Sequence, residues 1–231
     1  MKIALIGYGR MGKMIEEIAR QRGHHIVSRI KKQDALDLKD ADVAIDFSVP
    51  ESAFENITHC FHHNVPVISG TTGWLDRYDE ALEVCRAQNG AFIYASNFSL
   101  GVNIFFELNR FLAKMMGNLE TYKVAMEEIH HTQKLDAPSG TAITLAEGII
   151  AHTPYKDWSL ENPDEKSIPV KAIRTGQVPG THTISWESAV DRIDITHTAH
   201  NREGFALGAV IAAEWLKDKK GVYSMKDVLS L

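Results

Sequence analysis

The first residues of the chain constrain its fold more than any other segment. Lys2–Ile6 has the composition of a short buried strand, and apolar residues recur at helical spacing from Met14 to Ala19. Between them lies a glycine-rich turn that consists of Gly7, Tyr8, Gly9, Arg10, Met11 and Gly12. In such a unit one glycine allows the tight turn, one lets a pyrophosphate approach and one lets the helix pack closely. The pattern predicts a Rossmann-like parallel sheet that binds a dinucleotide.

The end of the second predicted strand bears on the choice of dinucleotide. His25–Ile30 reads as this strand, and an NAD-binding unit usually has an acidic residue at its end to hold the ribose hydroxyls. Here Arg29, Lys31 and Lys32 occupy that region. Cations suit a 2′-phosphate, so the sequence favours NADPH, with NADH as the alternative, and places Lys31 in the cofactor site. A solvated basic turn is the other interpretation.

Three further strands are predicted in the first hundred residues, at Val43–Phe47, Val65–Ser69 and Ala91–Ala95. Parallel α/β sheets bind ligands at the carboxyl ends of their strands. The residues at these ends are Phe47, Gly70, Thr71, Thr72, Ala95, Ser96, Asn97 and Phe98. From the residues alone, these segments also read as ordinary turns.

The alternation of strands and helices changes after Gly101. The predicted elements are an apolar helix at 102–116, a strand at 122–129, a helix at 142–151, a loop at 152–168, strands at 170–174, 181–187 and 190–198, and a helix at 205–217. The last strand alternates apolar and polar residues, which is typical of a sheet with one covered face. We therefore expect a smaller α+β domain with a mixed, open sheet.

The segment 127–142 contains the densest group of chemically able side chains, among them His130, His131, Lys134, Gly140 and Thr141. Two adjacent histidines at a strand end point in different directions and can have different roles. A nearby lysine can supply a positive charge or a proton. Backbone N–H groups at the start of the following helix form a site for a carboxylate or phosphate. The combination predicts an active site, although each feature alone is more often structural.

Metal binding is not expected. His59, His62 and His63 lie at helical spacing, but no carboxylate or fourth ligand accompanies them, and neighbouring strand histidines diverge. Cys60 and Cys85 both fall in helix-like segments and cannot form a disulfide framework. We interpret them as reduced, inert thiols in a cytoplasmic protein.

Composition excludes several classes of protein. The 231 residues carry a net charge of −5, so a basic nucleic-acid footprint is absent. No apolar run approaches the roughly 20 residues that span a bilayer. The sequence therefore predicts a globular protein that binds neither nucleic acid nor membrane.

The motif His-His-x-x-Lys-x-Asp-Ala-Pro-Ser-Gly-Thr-Ala at 130–142 resembles the signature of the 4-hydroxy-tetrahydrodipicolinate reductase family, the dihydrodipicolinate reductases of bacterial lysine and diaminopimelate synthesis. The Gly-Thr-Thr at 70–72 and the Asn-Phe-Ser at 97–99 are similar to family segments along the nicotinamide half of the cofactor. The resemblance covers nearly the whole chain. It supports cofactor-site assignments for Phe47, 70–72 and 95–98.

The resemblance implies NAD(P)H-dependent reduction of 4-hydroxy-tetrahydrodipicolinate, by way of dihydrodipicolinate, to tetrahydrodipicolinate. We assign His130 as proton donor and acceptor, and Lys134 as a second proton donor that stabilises developing charge. His131 and the backbone of Gly140 and Thr141 would hold the substrate carboxylates.

The resemblance also implies an organisation of the chain. A dinucleotide-binding domain at 1–100 would be completed by 204–231, and 101–203 would form a substrate-binding and oligomerisation domain. The family would assemble a homotetramer through the second sheet. Arg174 and His182 are expected as supporting groups near the substrate, and Asp136 is expected to order its loop.

Two other functions are considered. A dehydrogenase of the aspartate-semialdehyde type would need a nucleophilic cysteine at the domain junction, whereas both cysteines lie in the nucleotide half. A nucleotide-sensing regulator would have no need of the His-His-x-x-Lys cluster.

Overall fold

The computed structural model describes residues 1–231 in full. The chain divides into two compact units, one formed by Met1–Leu100 with Glu203–Leu231 and the other by Gly101–Arg202. None of the helices combines the length and the hydropathy needed to cross a membrane.

The first hundred residues alternate strands with helices. The elements are β1 (Lys2–Ile6), α1 (Arg10–Gln21), β2 (His25–Ile30), β3 (Val43–Asp46), α2 (Pro50–His62), β4 (Val67–Ser69), a 3₁₀ turn (Leu75–Arg77), α3 (Tyr78–Ala87) and β5 (Ala91–Tyr94). All five strands pair in parallel, and most of their residues are buried because helices cover the sheet. The link 31–42 between β2 and β3 holds no helix, in agreement with its short length.

The second unit contains a five-stranded sheet and two helices. Its elements are α4 (Leu100–Met116), β6 (Lys123–His130), α5 (Gly140–Ile150), β7 (Asp157–Ser159), β8 (Ser167–Arg174), β9 (Gly180–Glu187) and β10 (Arg192–Ala199). The order is β10-β9-β6-β8-β7, and β6 pairs parallel with β8 but antiparallel with β9. Alternate residues of β6 are buried, so the helices cover one face of this mixed sheet.

The prediction that 152–168 is only a loop is wrong in part. Residues Asp157–Ser159 form β7, and β8 begins at Ser167. Trp158 packs against the core of the unit. A strand of three residues is too short to show a periodic pattern, which is why the sequence does not reveal it.

The last residues return to the first sheet. They form α6 (Glu203–Leu216), β11 (Gly221–Tyr223) and α7 (Met225–Leu229), and the completed order is β11-β5-β4-β3-β1-β2. Small residues let α6 pack closely against the backbone that follows β5, since a Cβ on Gly208 would lie 1.8 Å from the carbonyl oxygen of Phe98. The predicted fold class, a Rossmann-like parallel sheet with a second mixed sheet, is confirmed.

Candidate active site

The glycine-rich turn after β1 has different requirements at its three glycines. Gly7 has φ +89°, and a Cβ there would lie 2.0 Å from the carbonyl oxygen of Phe47. A Cβ on Gly12 would lie 2.3 Å from the Gly7 carbonyl oxygen, whereas a Cβ on Gly9 would meet nothing within 4 Å. Gly7 and Gly12 therefore serve packing, and Gly9 leaves the backbone at the start of α1 open to a ligand.

The predicted cofactor residues lie together at the carboxyl edge of the parallel sheet. They follow β1 (Gly7, Tyr8, Gly9, Arg10, Met11, Gly12), β2 (Lys31), β3 (Phe47), β4 (Gly70, Thr71, Thr72) and β5 (Ala95, Ser96, Asn97, Phe98). The rings of Phe47 and Phe98 are 5.8 Å apart. A Cβ on Gly70 would lie 2.3 Å from the Phe47 ring. The strand ends are thus packed against one another along one edge.

Some of these side chains are buried or hydrogen-bonded within the protein. Phe98 is buried, the Tyr8 hydroxyl donates to Glu16 at 2.5 Å, and the Thr71 hydroxyl donates to Asp46 at 2.7 Å. These side chains shape the edge of the sheet. The exposed residues that are free to face a ligand are Gly9, Arg10, Lys31, Thr72 and Ser96.

Asp46 is a structural organiser of this edge that sequence reasoning missed. Its carboxylate is fully buried at the end of β3 and accepts hydrogen bonds from Ser69 and Thr71, each at 2.7 Å. Burial raises the pKa of Asp46. The carboxylate holds β4 and the turn that follows it. An acidic residue inside an otherwise apolar strand was the available signal.

The Arg29 side chain is also paired within the protein. Its guanidinium donates to both carboxylate oxygens of Glu16, at 2.7 and 2.5 Å, and lies 5.9 Å from the Tyr8 ring centroid. The hydrogen bonds from Arg29 lower the pKa of Glu16 to about 2. Lys31 and Lys32 are exposed beside this pair. They are the lysines at the end of β2 that remain accessible to an anion.

In the second unit, the two adjacent histidines face different surroundings. His130 is 6% exposed, whereas His131 is partly exposed and its Nε2 lies 3.4 Å from Nη2 of Arg202. Lys134 contacts both carboxylate oxygens of Asp136 at 2.8 Å. Positively charged or ionisable groups therefore line the segment that leads to α5.

The start of α5 is open to a ligand. Ser139 is the N-cap and accepts a hydrogen bond from the Ala142 N–H at 3.2 Å. Gly140 is exposed, and a Cβ there would meet nothing within 4 Å. Thr141 follows in the first turn. The helix start thus presents backbone N–H groups with the positive end of the helix dipole.

A buried carboxylate, absent from the predicted site, connects these segments. Glu128 is 0% exposed; it accepts from Nη2 of Arg174 at 2.7 Å and from the Ser139 N–H at 3.0 Å. Burial alone would raise the pKa of Glu128, but the nearby His182 imidazole and the hydrogen bonds from Ser139 and Arg174 outweigh it and hold the pKa well below its usual range. Glu128 therefore stays ionised and fixes the cap of α5.

Two imidazoles lie beside this carboxylate. Nδ1 of His130 and Nε2 of His182 are each 3.7 Å from Oε2 of Glu128, and the two rings are 5.0 Å apart. Burial lowers the pKa of His130 to about 4; the Glu128 carboxylate opposes this, and His182 and the cations Lys134 and Arg174 add to it. His130 is therefore a neutral imidazole at neutral pH.

The arrangement depends on the register of the second sheet. Residue Glu128 lies opposite His182 on β9, and His130 lies opposite Arg174 on β8. Period-two alternation already places Glu128 on the same face as His130, and that signal could have found it. The pairing with His182 and Arg174 joins residues far apart in sequence, which periodicity does not reveal.

Other clusters considered from the sequence do not form comparable sites. The ring nitrogens Nδ1 of His62 and His63 hydrogen-bond to backbone carbonyls on their own helix, at 2.7 and 2.9 Å. Cys60 and Cys85 are buried and free, and burial raises the pKa of both thiols. Neither thiol has the environment of a nucleophile.

Fold and site together define a class: a two-unit, nucleotide-dependent oxidoreductase. A family model described as "Dihydrodipicolinate reductase, N-terminus" matches residues 34–98, and one described as "Dihydrodipicolinate reductase, C-terminus" matches residues 101–229. The chain belongs to the dihydrodipicolinate reductase family and has that family's oxidoreductase role. The resemblance seen in the sequence is confirmed, and the regulator and the cysteine-dependent dehydrogenase were wrong alternatives.

Individual relatives agree with the family models. The 4-hydroxy-tetrahydrodipicolinate reductase of Christiangramia forsetii is 61% identical over 234 residues, covering 100% of this chain and 98% of its own. That of Archaeoglobus fulgidus is 35% identical over 260 residues, covering 99% and 100%. A dipicolinate-bound dihydrodipicolinate reductase from Paenisporosarcina has the same fold, with a TM-score of 0.80, 22% identity and 97% of each chain covered.

Proposed function

We propose that this chain catalyses the NAD(P)H-dependent reduction of 4-hydroxy-tetrahydrodipicolinate, by way of dihydrodipicolinate, to tetrahydrodipicolinate in lysine and diaminopimelate biosynthesis. Hydride addition to a conjugated C=C–C=N system moves negative charge towards the ring nitrogen, and the resulting enamine must gain a proton. The reaction therefore needs cationic groups and an acid beside a site for two carboxylates. The second unit contains residues of each kind.

Two observations carry the proposal: the contact between the basic side chains His131 and Arg202, and the open start of α5. His131 and Arg202 face each other at 3.4 Å. The Arg202 guanidinium donates and the His131 ring nitrogen accepts, and a substrate carboxylate beside them would receive a charge-assisted hydrogen bond from Arg202. The N–H groups of Gly140 and Thr141 supply a second anion-binding position. His131, Gly140 and Thr141 are accordingly assigned to the substrate carboxylates, with Arg202 added from the geometry.

Lys134 and His130 are assigned to the proton steps. The Lys134 ammonium is held by Asp136 and is partly exposed, so it can donate a proton or stabilise negative charge on the ring nitrogen. His130 is neutral at rest because its pKa is about 4. A bound dicarboxylate brings two negative charges close to it, and these would raise the pKa of His130 towards the range in which it can exchange a proton.

The first unit is assigned to the cofactor, with NADPH favoured and NADH as the alternative. Gly9 and Arg10 would face the pyrophosphate at the start of α1. Arg29 is held by Glu16, so Lys31 is the group that would meet a 2′-phosphate. The exposed ends of β4 and β5, at Thr72 and Ser96, would face the nicotinamide half.

We further propose a cytoplasmic homotetramer that assembles through the second sheet. Strand β10 is an edge strand of eight residues, and an unpaired edge of this length is usually protected by a partner or by charge. Ile193 on β10 is 40% exposed. A second copy of the chain would cover both the edge and the exposed side chain.

The experiment measures oxidation of NADPH and of NADH in parallel, with substrate generated from pyruvate and aspartate semialdehyde by a synthase. The wild type should oxidise both, NADPH with the higher kcat/KM. Lys134→Ala and His130→Ala should each lower kcat by about 10²- to 10⁴-fold, the usual contribution of acid–base groups. Lys171→Ala is the matched control, because Lys171 is an exposed lysine of the same unit that pairs with Glu127.

Cofactor affinity, measured by NADPH fluorescence, should be unchanged in all three variants. Equal losses of turnover and cofactor binding would contradict the assigned roles. Loss of turnover in Lys171→Ala as large as in Lys134→Ala would do so as well.

A further inference from the structure

Three buried side chains of the second unit converge on one point without bonding to one another. One possible ligand atom from each of Glu128, His130 and His182 lies within 4.8 Å of the other two. Oε2 of Glu128 is 3.7 Å from Nδ1 of His130 and 3.7 Å from Nε2 of His182. A separation of 3.7 Å is too long for a hydrogen bond. Four ligands around a tetrahedral Zn²⁺, with bonds of about 2.1 Å, stand about 3.4 Å apart. The spacing fits a shared cation better than direct hydrogen bonds.

An unpartnered atom supports the same conclusion. Nδ1 of His130 is buried and has no hydrogen-bond partner, an arrangement that costs stability unless something occupies the position. Nε2 of His182 has one hydrogen-bond partner, the Ser139 hydroxyl at 3.1 Å. A cation bound to both nitrogens would satisfy His130, with Ser139 or a water completing the coordination.

The chemistry of the donor set selects the metal. Two imidazoles and one carboxylate are a ligand set of zinc sites. Arg174 binds the other oxygen of Glu128, Oε1, so Oε2 remains available, although it also accepts from the Ser139 N–H. Arg174 and Lys134 are cations close to the cluster and oppose a second positive charge. These nearby positive charges weaken zinc binding, so they favour an ion that binds reversibly over a permanent structural ion.

We propose that Glu128, His130 and His182 form a Zn²⁺ site and that zinc bound there inhibits the enzyme reversibly. Zinc on Nδ1 would fix the His130 ring and prevent the imidazole from exchanging a proton. The inhibition rests on the proton role assigned to His130 under the proposed function, whereas the binding of zinc does not.

The experiment titrates the metal-free, full-length protein with ZnCl₂ in competition with a chromophoric chelator, and measures turnover in the same zinc buffers. The wild type should bind one zinc per chain and lose turnover in parallel, with recovery on adding EDTA. Glu128→Gln and His182→Gln should bind zinc at least about 100-fold more weakly, since even outer partners of a metal site contribute 10- to 100-fold. Circular dichroism and NADPH binding verify that both variants fold.

His63→Gln is the matched control, because His63 is an exposed histidine directly after α2 in the first unit and has no part in the proposed chemistry. Absence of zinc binding, or zinc binding of wild-type strength in both Glu128→Gln and His182→Gln, would overturn the inference. Zinc binding that depends on Glu128 and His182 but leaves turnover unchanged would keep the site, overturn the inhibition, and with it overturn the proton role of His130 in the proposed function.

Discussion

The buried His130 should make the stability of the second unit depend on pH in a specific window. The ordinary histidine pKa of 6.5 falls to about 4 in the folded protein, mainly through burial. Between these values the unfolded chain binds a proton that the folded chain does not. The stabilisation is therefore complete above pH 6.5 and is lost as the pH falls towards 4.

The size of the effect follows from the same two values. They differ by roughly 2.5 pH units, each worth about 1.4 kcal/mol, so the free energy of unfolding should fall by about 3 kcal/mol across the window. The stabilisation from Glu128 begins to fall only as the pH approaches the ordinary glutamate value of 4.5, and because wild type and a His130 variant both contain Glu128, its contribution cancels in their difference. A side chain that cannot titrate at position 130 should remove this part of the pH dependence.

The assay compares wild type with His130→Gln in urea at a series of pH values. A brief hydrogen-exchange pulse at one fixed pH, read by mass spectrometry on β6 and β9 peptides, reports unfolding of the second unit alone. The difference in unfolding free energy between the two proteins should shrink by about 3 kcal/mol from neutral pH to about pH 4. His63→Gln, an exposed histidine of the other unit, is the control and should parallel the wild type. Parallel curves for wild type and His130→Gln would refute the reasoning.

Four further substitutions test the cofactor site and the assembly. Gly7→Ala should destabilise the first unit by at least about 2 kcal/mol, because residue 7 has a φ of +89° and the added Cβ would lie 2.0 Å from the Phe47 carbonyl oxygen. Gly9→Ala should keep the melting temperature and lose NADPH affinity, because its Cβ would meet no protein atom within 4 Å; equal melting temperatures for the two variants would argue against this difference. Lys31→Glu should lower kcat/KM for NADPH by about tenfold or more and leave that for NADH nearly unchanged, and an equal loss for both cofactors would remove Lys31 from a 2′-phosphate site. Ile193→Lys places a charge on the exposed edge strand and should dissociate the tetramer in analytical ultracentrifugation, while an unchanged mass would place the interface elsewhere.

Much of the first sheet is predictable because its signals are local. The glycine-rich turn, the apolar strands and the helix spacing can each be recognised within a few residues, and they predict β1, α1 and the strands that follow. The short strands β7 and β11 were missed, since three residues carry no recognisable period. Cofactor residues at strand ends follow from the general location of ligands on parallel sheets.

The candidate site in the second unit is less predictable for a physical reason. His130, His131 and Lys134 lie in one segment and could be proposed together. The partners that set their environment, Arg174 and His182, come from β8 and β9, and only the register of those strands brings them to Glu128. Sheet register depends on tertiary packing, so no local pattern specifies it.

The discontinuous sheet of the first unit has a consequence for synthesis on the ribosome. Helix α6 contributes Ala206, Ala209, Val210 and Ala213 to the core that also contains Ile3 and Ile93. Until α6 is translated, one apolar face of the opening strands is covered only in part, by α1 through Ile15 and Ala19, while the middle of the chain already holds every part of its own core. The central unit can therefore fold first during synthesis. The amino-terminal strands expose apolar surface for longer, so they have the greater need of chaperones.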